Sequence, residues 1–293
     1  MLSDRALRRL AELIEEPHVV GYSTELVTTA RGVPGIRVFL GENGAVDREI
    51  DGAPVEPMLV GTPRKLIPQA DASATEPEID PAKKVRPLVG GLEIRHEKKG
   101  PIGTLGYFVT RAKNDAVWLI SSEHVLLDSN AKANVFQPMA SNDKGNLAAT
   151  GVFSIDDPAN GVDAGCARLA ADVKATKDVA EVGEIQGRMK AAVGQPVRKF
   201  GAVSRLTRGK VDSVECVVEF PEGLYRHQIG VAAPIGKPFS APGDSGSLVV
   251  DAGKPIAVGL LMGSSVSPEE PGRQWAWINP IGLVLDALDA RLY

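Results

Sequence analysis

The stretch Ser240-Ala241-Pro242-Gly243-Asp244-Ser245-Gly246-Ser247-Leu248-Val249-Val250 constrains this chain more than any other. Its centre is a serine on a tight turn with glycine on either side, and the turn feeds at once into an apolar β-branched run that reads as a buried strand. Such a turn presents a side chain at the rim of a sheet. Glycine at 243 and 246 also lets the backbone fold so that the amides of Gly243 and Ser245 point at one spot, where an oxyanion would form during acyl transfer.

At 293 residues the chain is long enough for about two domains. Its net charge of −4 comes without a basic run or a Lys/Arg face, which disfavours nucleic acid or an anionic membrane as partner. The start lacks an apolar core of signal-peptide length and no later stretch approaches a membrane span, so a soluble, cytoplasmic protein is expected. The two cysteines, Cys166 and Cys216, cannot form the disulfide framework of a secreted enzyme; two buried thiols or a single bridge remain open. Four histidines lie scattered without partners at zinc-ligand spacing, so neither a metal nor another cofactor is expected.

Along residues 4–16, Leu7, Leu10, Ala11 and Ile14 recur at spacings of three and four, an amphipathic helix stopped by Pro17. Val19–Thr29, Gly35–Leu40 and Pro57–Val60 read as strands, giving a small α+β amino-terminal module over 1–67. Residues 68–90 carry prolines among acids and alanines and read as an exposed linker. From 91 onward short apolar strands alternate with Gly, Pro, Asn and Asp turns: Leu105–Thr110, Ala116–Ile120, Val197–Phe200, Val211–Phe220 and Ile256–Leu261. This spacing predicts a barrel or sandwich. Residues 279–292 are apolar at helical spacing and predict a closing helix.

The Gly-Asp-Ser-Gly-Ser turn resembles the nucleophile loop of chymotrypsin-like serine proteases, in which a histidine, an aspartate and the serine occur in that chain order. Trp118-Leu119-Ile120-Ser121-Ser122-Glu123-His124-Val125 resembles the histidine motif of that clan, with Glu123 where relatives usually carry alanine or asparagine. Val162-Asp163-Ala164-Gly165-Cys166 resembles its aspartate motif, and Asp163 falls on an apolar strand where a carboxylate needs a partner. Asp156, Asp157 and Asp172 are the competing acids. The expected triad is His124, Asp163 and Ser245, with Gly243 and Ser245 supplying the oxyanion hole. The resemblance implies a mainly β fold, a double β-barrel over 91–293 with a carboxy-terminal helix.

Two further stretches, Ile50–Gly61 and Gly194–Gly201, resemble bacterial relatives of the plant narrow-leaf trypsin-like protease family. By position in the clan, Phe239 lines the base of the primary specificity pocket, which disfavours basic residues before the cut and favours small or apolar ones. Met262, Gly263 and Ser264 would form the opposite wall, offering main-chain groups to an extended substrate strand. Arg86-Pro87-Leu88-Val89-Gly90-Gly91 has the outline of a trypsin-zymogen activation site. Proline after the arginine blocks such a cut, and a turn into the first barrel strand is the preferred reading. The expected function is a serine endopeptidase acting on protein or peptide substrates, with a possible regulatory partner acting through the amino-terminal module. The alternatives are an enzyme kept latent by that module and an inactive peptide-binding module.

Overall fold

The structure is a computed structural model that describes residues 2–65, 79–97, 101–112, 114–127, 129–138, 144–270 and 272–293. Helix α1 (Asp4–Leu13) starts where the Ser3 hydroxyl accepts from the Ala6 amide at 3.0 Å, and it buries Ala6, Leu10 and Leu13. That stripe packs on Val19, Ile36 and Val38 from strands β1 (Val19–Ser23) and β2 (Pro34–Leu40). Strand β3 (Ala53–Leu59) lies parallel to β2, and a short strand β4 (Arg64–Lys65) follows.

The stretch expected to be a linker is folded where it is described. Ile79 and Val85 pack against the first core, and Leu88–Gly90 forms strand β5, with Leu88 fully buried. Proline-rich sequence hid this because β5 pairs with distant residues 175–179 rather than with a neighbour. Residues 68–78 lie outside the described residues.

The first barrel contains β6 (Tyr107–Arg111), β7 (Asn114–Ser121), β8 (Asn130–Phe136), β9 (Leu147–Asp157) and β10 (Val162–Leu169), with β6 beside β7, β7 beside β10, β10 beside β9 and β9 beside β8. Phe108, Leu119, Ile120, Val135 and Ala164 are fully buried in its core cluster. The second barrel is a closed ring. Strands β11 (Pro196–Gly201), β12 (Arg205–Phe220), β13 (Gly223–Ala232), β14 (Leu248–Asp251), β15 (Ala257–Val266) and β16 (Gln274–Pro280) run in the order β11, β14, β15, β16, β13, β12, and β12 returns to β11.

The amino-terminal strands are continuous with that ring. Strand β12 spends residues 205–210 on β11 and residues 216–218 on β1, so one sheet runs on through β1, β2 and β3. Arg37, 7% exposed, locks the junction by binding Glu56 on β3 and Asp212 on β12. At the other end the helix is shorter than expected: α3 (Ile281–Ala287) stops before Asp289, which takes φ of 50°, and Ala290–Leu292 forms β17 beside β6. The left-handed residue turns the chain out of the helix, and Leu292 is spent on sheet pairing. Both cysteines are buried and unbridged, and burial pushes each thiol up to about 12. Among the described residues no helix is long and apolar enough to cross a membrane.

Candidate active site

The end of β7 delivers His124. Ser121 closes the strand, and Glu123–Leu126 form one helical turn, α2. The amides at the start of that turn have no partners within it, and Asp163 on β10 takes them: its Oδ1 accepts from Glu123 N at 2.6 Å and His124 N at 3.3 Å. Its Oδ2 lies 2.6 Å from Nδ1 of His124 and 3.2 Å from Nζ of Lys65. The Asn279 amide donates to the Asp163 carbonyl at 3.0 Å. Burial alone would raise the Asp163 carboxyl. His124, held against the carboxylate by its hydrogen bond, and the Lys65 ammonium outweigh it and hold Asp163 well below the usual carboxylate range. Asp156, a competing acid, instead accepts from the Tyr225 hydroxyl and lies 3.6 Å from Lys65 Nζ.

The turn before β14 carries Ser245 and rests on Asp244. Asp244 is fully buried, and Lys199 Nζ lies 2.9 Å from its Oδ2, which also accepts from Ala241 N and the Ser204 hydroxyl. Its Oδ1 accepts from Val203 N and Ser204 N, both at 3.0 Å. Burial pushes against the charged form, but Lys199 and these donors together keep Asp244 ionised and below its ordinary value. Gly246 has φ of 88°, and a Cβ there would meet the Ser121 hydroxyl at 2.1 Å. Only glycine fits this contact between the serine turn and the strand that leads to His124. Both segments also converge on one carbonyl, because Ser122 Oγ and Gly246 N each donate to Leu261 O.

His124 and Asp163 are therefore brought together, with Ser245 on the adjoining turn. The Ser245 hydroxyl donates to the carbonyl of Met262 at 3.2 Å. His124 Nε2, on a side chain only 10% exposed, has no hydrogen-bond partner among the described residues. Gly243, at φ of 103°, and Ser245 flank Asp244 on the one turn. The Met262 side chain turns away into a core with Phe39, Tyr225 and Trp277. Phe239 is fully buried in the second barrel beside Val211, Ile229 and Val249. Its place as a pocket floor rests on its position in the chain.

The wall expected to receive a substrate strand is occupied. Along one edge of β15, Leu248 of β14 lies opposite Leu260, the Ser245 hydroxyl reaches the Met262 carbonyl, and β4 then pairs antiparallel, Lys65 opposite Gly263 and Arg64 opposite Ser264. Lys65 was not among the expected site residues. A lone lysine at the end of the amino-terminal module carries no sequence signal, since its contacts lie far along the chain. Lys199 could have been found: it stands between Val197 and Phe200 on a strand, where a charge points to a buried counter-ion. Among the described residues no three His, Cys, Asp or Glu side chains converge as a metal site.

No protein-family model matches the chain, and no curated protein does. Solved structures do. A glutamic acid-specific serine protease that uses a histidine triad in substrate binding superposes with a TM-score of 0.54 at 22% identity, covering 70% of this chain and 100% of its own. Cellulomonas bogoriensis chymotrypsin gives 0.53 at 21%, covering 70% of this chain and 97% of its own. The Nocardiopsis protease NAPase gives 0.52 at 18%, with 70% and 97% covered. The fold is thus that of the chymotrypsin-like serine proteases, here with an amino-terminal extension that joins the second barrel's sheet.

Proposed function

We propose that the protein is a serine endopeptidase with Ser245 as nucleophile, His124 as base and Asp163 as the orienting acid. The observation that carries this reading is the 2.6 Å contact between His124 Nδ1 and Asp163, made beside the glycine-flanked serine turn. That bond fixes the tautomer that leaves Nε2 to accept a proton. Ser245 gives up its contact with Met262 and turns to Nε2; its oxygen attacks the scissile carbonyl while the proton passes to His124. The amides of Gly243 and Ser245 hold the resulting oxyanion, each worth about 3 kcal/mol. The C–N bond then breaks, the leaving amine takes the proton from His124, and water hydrolyses the acyl ester by the reverse sequence. Phe239 supports a preference for small or apolar residues before the cut. A peptide panel in which lysine or arginine at that position is cut best would sink the preference.

Fluorophosphonate labelling tests the reading. The wild-type chain is expected to label, Ser245→Ala to lose labelling completely, and His124→Ala to slow it about a hundredfold or more. A folded wild-type chain that never labels favours the other reading, a peptide-binding module, which draws support from the bond of Ser245 to Met262 rather than to His124.

The enzyme is further read as latent, because β4 lies on the edge of β15 that an extended substrate would need. Release of β4, by a partner or by cleavage after it, is the activating event. Lys65→Glu in the full chain sets a fifth carboxylate against Asp163, Asp156, Glu123 and Glu222 and is expected to eject β4 and raise the labelling rate about tenfold. An unchanged rate in a folded Lys65→Glu protein removes latency from the account.

A further inference from the structure

The place occupied by Lys65 has the chemistry of a binding site for a cationic side chain. Strand β4 runs antiparallel to β15 and starts on that edge immediately beyond the Met262 carbonyl held by Ser245. Gly263 makes the approach possible, since a Cβ there would meet the Arg64 carbonyl at 2.5 Å. The Lys65 side chain runs inward from this edge and is 4% exposed. Its ammonium stands 3.2 Å from Asp163, 3.6 Å from Asp156 and 5.3 Å from the centre of the Tyr225 ring. Glu222 and Glu123 add negative charge at longer range. Burial works against the ammonium, yet the surrounding carboxylates raise it above its ordinary value. If Lys65 withdraws, Asp163 and Asp156 lose the ammonium that lies against both, an arrangement that favours another cation.

Resting on the peptidase reading, we infer that Asp156, Glu123, Glu222 and the face of Tyr225 form a subsite that takes a lysine or arginine side chain of the substrate, at the residue lying opposite Gly263, and that Lys65 is its built-in occupant. The preference at this position is separate from that at the residue before the cut, where Phe239 argues for small or apolar side chains. Carboxylates and an aromatic face together select a cation: the carboxylates supply the charge, and the ring receives the stem and the ammonium without a competing anion. A glutamate at this position is repelled, and norleucine, of similar length, leaves the carboxylates uncompensated.

The probe is a fluorescent peptide reproducing residues 60–70 of this chain, with a counterpart carrying norleucine for the lysine. Both are titrated by anisotropy against full-length Lys65→Glu, with Lys65→Ala as the second variant should the first not fold. The lysine peptide is expected to bind about tenfold more tightly, equivalent to ~1.4 kcal/mol. Adding Asp156→Asn should erase most of that difference, and wild type, its subsite filled, should bind neither peptide as tightly. Equal binding of the two peptides, or binding of neither at about 1 mM, overturns the inference. Fluorophosphonate labelling of the same samples separates the two claims. A variant that discriminates the peptides without labelling keeps the subsite and loses the peptidase; one that labels without discriminating keeps the peptidase and loses the subsite.

Discussion

Lys199 and Asp244 are both fully buried, with nitrogen and oxygen 2.9 Å apart, and the turn bearing Ser245 is folded around the carboxylate. Replacing the lysine by methionine keeps the stem and removes the charge. Asp244 then faces four neutral donors and no cation, and a buried pair broken on one side costs about 3–5 kcal/mol. Lys199→Met is accordingly expected to lower the urea-unfolding free energy by about that amount, with loss of labelling at Ser245 because the turn loses its anchor. A change under about 1 kcal/mol would show that the backbone and hydroxyl donors suffice. At this scale much was legible. Gly-Asp-Ser-Gly-Ser, the histidine after a strand end and a lone aspartate among small apolar residues are local signals, and the last two meet in space. Lys65 was not legible, because what makes it matter is the burial of its ammonium among residues far off in the chain.

Among elements, the reading of short apolar runs between turn residues found Ala116–Ile120 within β7 and Val197–Phe200 within β11, but it cut others short: Val211–Phe220 misses the first six residues of β12 and Ile256–Leu261 the last five of β15. Two features escaped it. The turn α2 holds only four residues, too few for a helical period, and it exists because Asp163 satisfies its first amides. Strand β12 is long because it serves two partners in succession, β11 and then β1. Nothing in its own pattern separates a barrel strand from one that also carries an extension. The same blindness made residues 79–90 read as linker: β5 is three residues of strand whose partner lies far downstream. The extension matters to the site through β4, which brings Lys65 to the edge of β15.

On the scale of the whole molecule, the site is assembled from both barrels and the extension, so its ionic groups report on the entire fold. Asp163 sits on the first barrel and binds a lysine from the extension, while Asp244 and Lys199 belong to the second barrel. Both carboxyls are held below their ordinary values. A carboxyl depressed by folding stabilises the native state above its unfolded value, near 4, and that stability is lost as the pH falls toward the folded value. Glu123 and Asp212 act in the opposite sense: burial raises both, so they take up protons more readily when folded and soften the loss. The fully buried, depressed pair should prevail, because a carboxylate that must be protonated while still facing a lysine loses its counter-ion pairing. Urea midpoints are therefore expected to fall steadily from about pH 5 to about pH 3. Asp163→Asn has no such proton to take up and should flatten the slope, whatever its stability at neutral pH. A wild-type midpoint that rises on acidification would mean that Glu123 and Asp212 dominate and that the pairing of Lys65 with Asp163 adds little to the fold.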